Sequence, residues 1–202
     1  MQAGIFQQIS SHNLAGDNLM ADMSISGKIL TSLFSSVTAR TAGFNTIDTG
    51  ALTDGSKFLT IMLMFIGGSP GSTAGGIKTT TLAVLLLSIR ASVNQTDGMN
   101  VYNRRLDEDA VRKAGLILSL NLALAIGASV WIVVLQPELM MSDVLFETFS
   151  AIGTAGMSTG ITRELFAASK MALVLLMFCG RVGSLSSALA FTQSKKKPPV
   201  KL

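Results

Sequence analysis

The 202-residue chain is 49% hydrophobic and 14% charged with a net charge of +4; its mean hydropathy is +0.51, and a soluble domain carries about 25% charged residues, so the composition points to lipid as solvent. The single cysteine, Cys179, excludes an intrachain disulfide, and no Cys-x-x-Cys pair suggests a metal. The basic residues border apolar runs and are not interleaved with aromatics, which argues for membrane topology and against nucleic-acid binding.

Residues 1–26 are mixed, lack the basic and apolar regions of a signal peptide, and are expected to form a loop with a short helix. Residues 28–40 suit a helix too short to cross a bilayer, hence buried or re-entrant. It ends at Thr41-Ala-Gly-Phe-Asn-Thr46. An apolar helix over 58–66 follows; Gly67-Gly-Ser-Pro-Gly-Ser-Thr-Ala-Gly-Gly76 breaks it, and 77–89 resumes it. Glycine loses backbone entropy and proline lacks a donor, so this interruption is not ordinary helix. A polar connection over 90–113 leads to a spanning helix, 112–135, with Trp131 near its far end and Gln136-Pro137 as its stop. Residues 142–152 repeat the short-helix pattern with Ser142 as expected N-cap, and end at Thr154-Ala-Gly-Met-Ser-Thr159. A last long helix, 163–191, precedes the basic tail Lys195 to Lys201.

The two hexapeptides lie 113 positions apart, and the same offset sets Met64-Phe-Ile-Gly-Gly68 against Met177-Phe-Cys-Gly-Arg181. Two matches in one register indicate duplication of a unit: spanning helix, short re-entrant helix, polar loop, spanning helix. The expected organisation is therefore a third pore unit without its first spanning helix (1–92), a cytoplasmic connection (93–111), a fourth unit (112–192) and a basic cytoplasmic tail (193–202). Arg90, Arg104, Arg105, Arg112 and Lys113 share one side with the tail lysines, and the positive-inside rule makes that side cytoplasmic. Both hexapeptides then open outward, where Asp48, Asp54, Glu138, Asp143 and Glu164 outnumber Lys57 and Arg163, an acidic mouth for cations.

Non-helical backbone at membrane depth must be buried in protein or line a watery path. Carbonyls of such a loop can replace the water shell of a monovalent cation, and Gly43 and Gly156 permit the close approach and unusual dihedrals this needs. The alternative is a turn of small residues packed between helices. The break over 67–76 is either a kinked packing site or a mobile constriction. It does not match a phosphate loop, because Ile77 separates Gly76 from Lys78, so no nucleotide is expected on this chain. Arg181 within an apolar helix calls for polar partners, with the carbonyls of the break as the expected ones; it either limits ion occupancy or latches the break. Lys78 snorkels to the cytoplasmic edge or helps hold the break. His12 has no ligand cluster around it, Cys179 is a packing residue, and no nucleophile with a base is evident, so the chain is not expected to be an enzyme.

Ser-Val-Thr-Ala-Arg-Thr-Ala-Gly-Phe-Asn-Thr (36–46), Gly-Gly-Ser-Pro-Gly-Ser-Thr-Ala-Gly-Gly-Ile-Lys-Thr-Thr (67–80) and Phe-Cys-Gly-Arg-Val-Gly (178–183) closely resemble the Trk/Ktr/HKT superfamily of potassium and sodium transporters, most nearly the KtrB-type membrane subunit of bacterial Ktr systems. The resemblance implies an all-α integral membrane fold of helix, pore loop and helix units, four around one potassium pathway. It places Thr41, Ala42, Gly43 and Phe44 in the third filter segment and Thr154, Ala155, Gly156 and Met157 in the fourth. It makes Gly67, Gly68, Gly71, Ser72, Thr73, Gly75, Gly76 and Lys78 an intramembrane gating loop, contacted by Arg181. It further implies transported K+, Na+ as a stimulating ion in some members, a homodimer, and a cytosolic nucleotide-binding regulatory ring. Only half of the expected ring is present, so either the remaining pore units come from elsewhere or the chain is an accessory membrane scaffold without transport of its own.

Overall fold

The computed structural model describes residues 24–69, 74–94, 100–101, 104–105 and 108–182. His12, Gly71, Ser72, Thr73, the stretch 183–191 and the tail lysines lie outside the described residues. The described fold is mostly helical: α1 (Ile25–Thr38), α2 (Asp54–Phe65), α3 (Thr79–Val93), α4 (Glu108–Leu135), α5 (Met141–Gly153) and α6 (Ala167–Val182). One departure from an all-α chain is a two-residue antiparallel pair in the connection, β1 (Asn100–Val101) with β2 (Arg104–Arg105).

Helix boundaries follow local capping more closely than the apolar pattern did. Ser24 accepts the amide of Gly27 at 3.2 Å, so α1 starts a turn before the expected Lys28. Thr53 likewise accepts from Ser56 at 3.2 Å, and Asp54 in the first turn complements the dipole, so α2 begins ahead of Phe58. The expected Ser142 cap is incorrect. Met140 holds the cap position of α5 with extended backbone and no side-chain bond, leaving Ser142 inside the first turn. The last helix starts at Ala167, later than Arg163, because Ile161–Arg163 form a 3-10 turn. Gln136 then caps α6 from the end of α4: its Oε1 accepts from the Phe166 amide at 2.9 Å and from Ser169 Oγ at 3.2 Å.

α5 is the hub, packing against α2, α4 and α6, and every residue from Phe146 to Gly153 is buried. Phe149 meets Phe65 of α2 edge-on at 5.3 Å between ring centres. α4 is 28 residues long, its apolar window has a mean hydropathy of 2.2, and only 22% of that window is buried. It is the one helix among the described residues that is long and apolar enough to cross a membrane. Its inward stripe is Ala114, Asn121, Ala125, Ser129 and Ile132, while Leu122, Ile126, Val130 and Trp131 face outward. Small and polar inside, large and apolar outside is the reverse of a soluble amphipathic helix and the arrangement that lipid favours. α1 repeats it, burying Ser32, Ser35, Ser36 and Thr38 and exposing Ile29, Leu30, Leu33 and Val37. Ser129 Oγ and Thr148 Oγ1 join α4 to α5 at 2.7 Å.

Lys57 and Asp143 form an ion pair at 2.7 Å that joins the first turns of α2 and α5, with side chains 7% and 15% exposed. Both therefore leave the tally of free charges at the expected outer mouth, although the acidic excess there is unchanged. Removing one partner strands a buried charge, so Lys57→Met is expected to destabilise the fold by about 3–5 kcal/mol, with most of the loss recovered in Lys57→Met/Asp143→Leu. Thermal unfolding in detergent checks this; equal melting temperatures for the single and double variants would contradict it.

Candidate functional site

The two hexapeptides open on the same left-handed backbone turn. α1 ends at Thr38 and α5 at Gly153, and the first residue of each hexapeptide turns left-handed: Thr41 at φ 71° and Thr154 at φ 50°. Two residues on, Gly43 and Gly156 have φ 72° and 82°. Thr41 and Thr154 are the only positive-φ residues other than glycine among those described. A residue with a Cβ loses about 1–2 kcal/mol in this conformation, so each threonine is held there by its surroundings. In the first loop, Ala42 and Gly43 both donate to the Thr38 carbonyl at 3.2 Å, and Thr41 Oγ1 donates to the Arg40 carbonyl at 2.6 Å. In the second, Thr154 donates to Ala151 and Ala155 to Ser150, at 3.1 and 2.9 Å.

The loops run against one another. A Cβ on Gly43 would sit 2.8 Å from the Ala155 carbonyl oxygen and 3.1 Å from Gly156 Cα, so side chains are excluded there by both dihedral and space. Thr49 Oγ1 donates to the Ser158 carbonyl and ties the outgoing stretches together. At the fourth hexapeptide position both carbonyls are braced from the preceding helix: Thr38 Oγ1 donates to Phe44 at 2.8 Å, and Ser150 Oγ donates to Met157 at 2.5 Å. Each retains its second lone pair.

Glu147 was missed in the sequence. It lies in the middle of α5, 5% exposed, and one carboxylate oxygen accepts from Ser158 Oγ at 2.5 Å and from the Thr159 amide at 3.1 Å. The signal was a carboxylate inside Val-Leu-Phe-Glu-Thr-Phe-Ser; an ionisable residue in an otherwise apolar membrane segment is a candidate functional group by default. Here it props the outgoing half of the second loop from behind.

The break in the α2 to α3 segment is closed on itself. Gly67 donates to Ile77 at 2.8 Å, Ile77 to Phe65 at 3.0 Å, and Thr79 to Gly68 at 3.3 Å, which replaces helix bonds with bonds between its two ends. Lys78 Nζ donates to the Ala74 carbonyl, so this lysine serves the break. Gly75 and Gly76 dock the break beneath the second hexapeptide: the Gly75 amide donates to Thr154 Oγ1 at 2.9 Å, and the Gly76 amide to the Ile152 carbonyl at 3.2 Å. Ala74 and Ile77 on either side are buried. Arg181 stands in the last turn of α6 and, with Glu147, Thr154, Gly156 and Phe178, lines a cavity of about 600 Å³ beside the second loop. The fold thus gathers both loops, the docked end of the break and Arg181 around the end of α5.

A family model described as cation transport protein, TrkH, matches residues 4–198. The chain is 34% identical over 177 residues to the Ktr system potassium uptake protein B of Bacillus subtilis, a match covering 88% of this chain and 40% of that protein. It is 36% identical over 159 residues to the potassium/sodium uptake protein NtpJ of Enterococcus hirae, covering 77% and 35%. With the Ktr system potassium uptake protein B of Vibrio alginolyticus the identity is 31% over 194 residues, covering 96% and 41%. The chain belongs to the Trk/Ktr/HKT superfamily of cation transporters.

Within that superfamily it stands close to the KtrB-type subunits, and it spans between 35% and 41% of the length of these relatives. The matching family is one of cation transport proteins; among the described residues no three His, Cys, Asp or Glu side chains gather as a metal site. Glu147→Ala removes the acceptor of two donors and is expected to lower stability by about 1–3 kcal/mol. Protease cleavage within residues 157–163 should rise with it, and Glu147→Gln should recover part of both. Unchanged cleavage in the alanine variant would dismiss the propping role.

Proposed function

We propose that this chain is a membrane component of a monovalent-cation uptake assembly, supplying two adjacent walls of the cation pathway without transporting on its own. The observation that carries the reading is the pair of loops with the same left-handed, x, left-handed backbone at Thr41-Ala-Gly43 and Thr154-Ala-Gly156, packed glycine to glycine. Carbonyls of Thr41 to Phe44 and of Thr154 to Met157 are the proposed ligands, and K+, with Na+ as transported or stimulating ion, is the proposed cargo. The names of the relatives, potassium and potassium/sodium uptake proteins, support that choice.

A non-conducting role for this chain alone is favoured over a complete conducting subunit. Among the described residues there are two irregular hexapeptide loops and one helix of membrane-crossing length, arranged as a helix bundle around α5, and as two walls such loops would leave a cation pathway open on its other sides. The proposed organisation is third unit 1–92, connection 93–111, fourth unit 112–192 and tail 193–202, in a multi-pass bacterial cell membrane protein. Its loops open outward, its tail lies in the cytoplasm and its apolar faces meet lipid. Further pore units would close the ring, a second copy would form a dimer, and a cytosolic nucleotide-binding ring would act on the break. The break itself, with Gly67, Gly68, Gly71, Ser72, Thr73, Gly75, Gly76, Lys78 and Arg181, is the proposed gate.

Rubidium uptake into liposomes tests both parts. The chain alone is expected to give no uptake above protein-free vesicles, and transport by it would overturn the non-conducting reading. In the assembly purified from its own membrane, Gly43→Ser and Gly156→Ser are each expected to reduce the preference for K+ over Na+ roughly tenfold, the equivalent of about 1.4 kcal/mol, with assembly intact. Unaltered selectivity in both would leave the loops as packing turns and the chain as a scaffold.

A further inference from the structure

The two hexapeptides differ in what holds their left-handed threonine. Thr41 Oγ1 donates to the carbonyl of its own neighbour Arg40, a bond contained within the first loop. Thr154 Oγ1 instead accepts the Gly75 amide, across 79 positions of sequence, from the end of the break. The fit is close: a Cβ at Gly75 would lie 2.7 Å from Thr154 Oγ1, 2.8 Å from Thr154 Cγ2 and 3.0 Å from the Ile152 carbonyl, so the break approaches this threonine as only glycine can. The adjacent amide, Gly76, bonds to Ile152, two residues before Thr154. The break therefore holds the turn from which the second hexapeptide sets out.

We propose that Thr154 is a positioning residue that couples the seating of the break to cation selectivity: the Gly75 to Thr154 hydrogen bond keeps Thr154 left-handed and so aims the carbonyls of the second hexapeptide at the ion. Where the Gly75 bond is lost, the second wall loses this brace while Thr41 keeps its own. Ion occupancy and seating of the break are then linked, and linkage is reciprocal: a cation bound at the second wall holds the break down. This rests on the cation-pathway reading above and adds to it a one-sided control of the filter.

The test compares Thr154→Val, which keeps the shape and removes the acceptor, with Thr154→Ser, which keeps the acceptor, in the purified assembly. For Thr154→Val the KM for K+ is expected to rise about 3- to 10-fold, the range of one neutral hydrogen bond, with the maximal rate changed less than the KM. Thr154→Ser should recover most of that loss. K+ should slow hydrogen exchange of the Gly75 amide in the wild type by a similar factor and have no such effect in Thr154→Val. If the valine variant does not accumulate, Thr154→Ala also lacks the acceptor and should show the same shift. A wild-type KM together with K+-dependent protection of Gly75 in either variant lacking the acceptor overturns the proposal. The glycine controls separate the two levels: altered selectivity in Gly43→Ser or Gly156→Ser with an unaltered KM in Thr154→Val rejects the coupling alone, and unaltered selectivity in both glycine variants rejects the pathway reading as well.

Discussion

A backbone amide or carbonyl inside a bilayer has no water to turn to, and each one left unpaired costs several kcal/mol. The end of α5, buried within the protein, meets the same constraint. A helix ending inside the protein leaves its last carbonyls without intrahelical partners. Here those of Ser150, Ala151 and Ile152 are taken by Ala155, Thr154 and Gly76, the last from a separate segment of chain. The break in the α2 to α3 segment raises the same problem in reverse, since its amides have lost their helical acceptors. Docking the break under α5 answers both needs, because surplus donors of one element meet surplus acceptors of the other.

From that joint the rest of the packing follows. α5 must be buried on all sides to keep its end dry, which recruits α2, α4 and α6 around it. Beside large buried residues such as Met64, Ile132 and Leu176, the surrounding helices also bury small or hydroxylated ones, Ala125 and Ser129 on α4 and Ser169 on α6, where helices can approach closely. Close approach and hydroxyl bonds matter here because lipid tails provide no hydrophobic drive between apolar helices. The buried Lys57 to Asp143 pair and the propping carboxylate of Glu147 sit within this same shell. The pair ties the first turns of α2 and α5 together, and Glu147 fixes loop backbone at Thr159.

The proposed function uses the irregular backbone that this shell supports. Two loops of matching dihedrals, held side by side, are suited to offering carbonyls to a partly dehydrated cation, and membership of the Trk/Ktr/HKT superfamily gives that reading its chemical context. The loops differ in their supports. The Thr41 hydroxyl bonds to the carbonyl of its own neighbour, and the Thr154 hydroxyl takes the Gly75 amide from the break. A repeat that is symmetric in sequence is therefore asymmetric in its hydrogen bonds, and under the proposed function this would give the break a route to one wall of the pathway.

The sequence by itself determined the helical, membrane-embedded character, the approximate helices, the two hexapeptides and the family. Apolar length, the 113-residue offset and the glycine-rich break are one-dimensional patterns, set by bilayer thickness and by backbone dihedrals. The starts of α1 and α2 moved by about a turn because caps such as Ser24 and Thr53 are local choices. The Ser142 reading failed because a side chain able to cap does so only where the backbone turns, and here it turned at Met140. Glu147 was legible only as an oddity; its partners Ser158 and Thr159 become neighbours once the loop folds back over α5. The Lys57 to Asp143 pair spans 86 positions and the Gly75 to Thr154 bond 79. Which polar group answers which was decided by the tertiary structure alone, because a hydrogen bond is chosen by distance and angle in space, and composition and spacing carry neither.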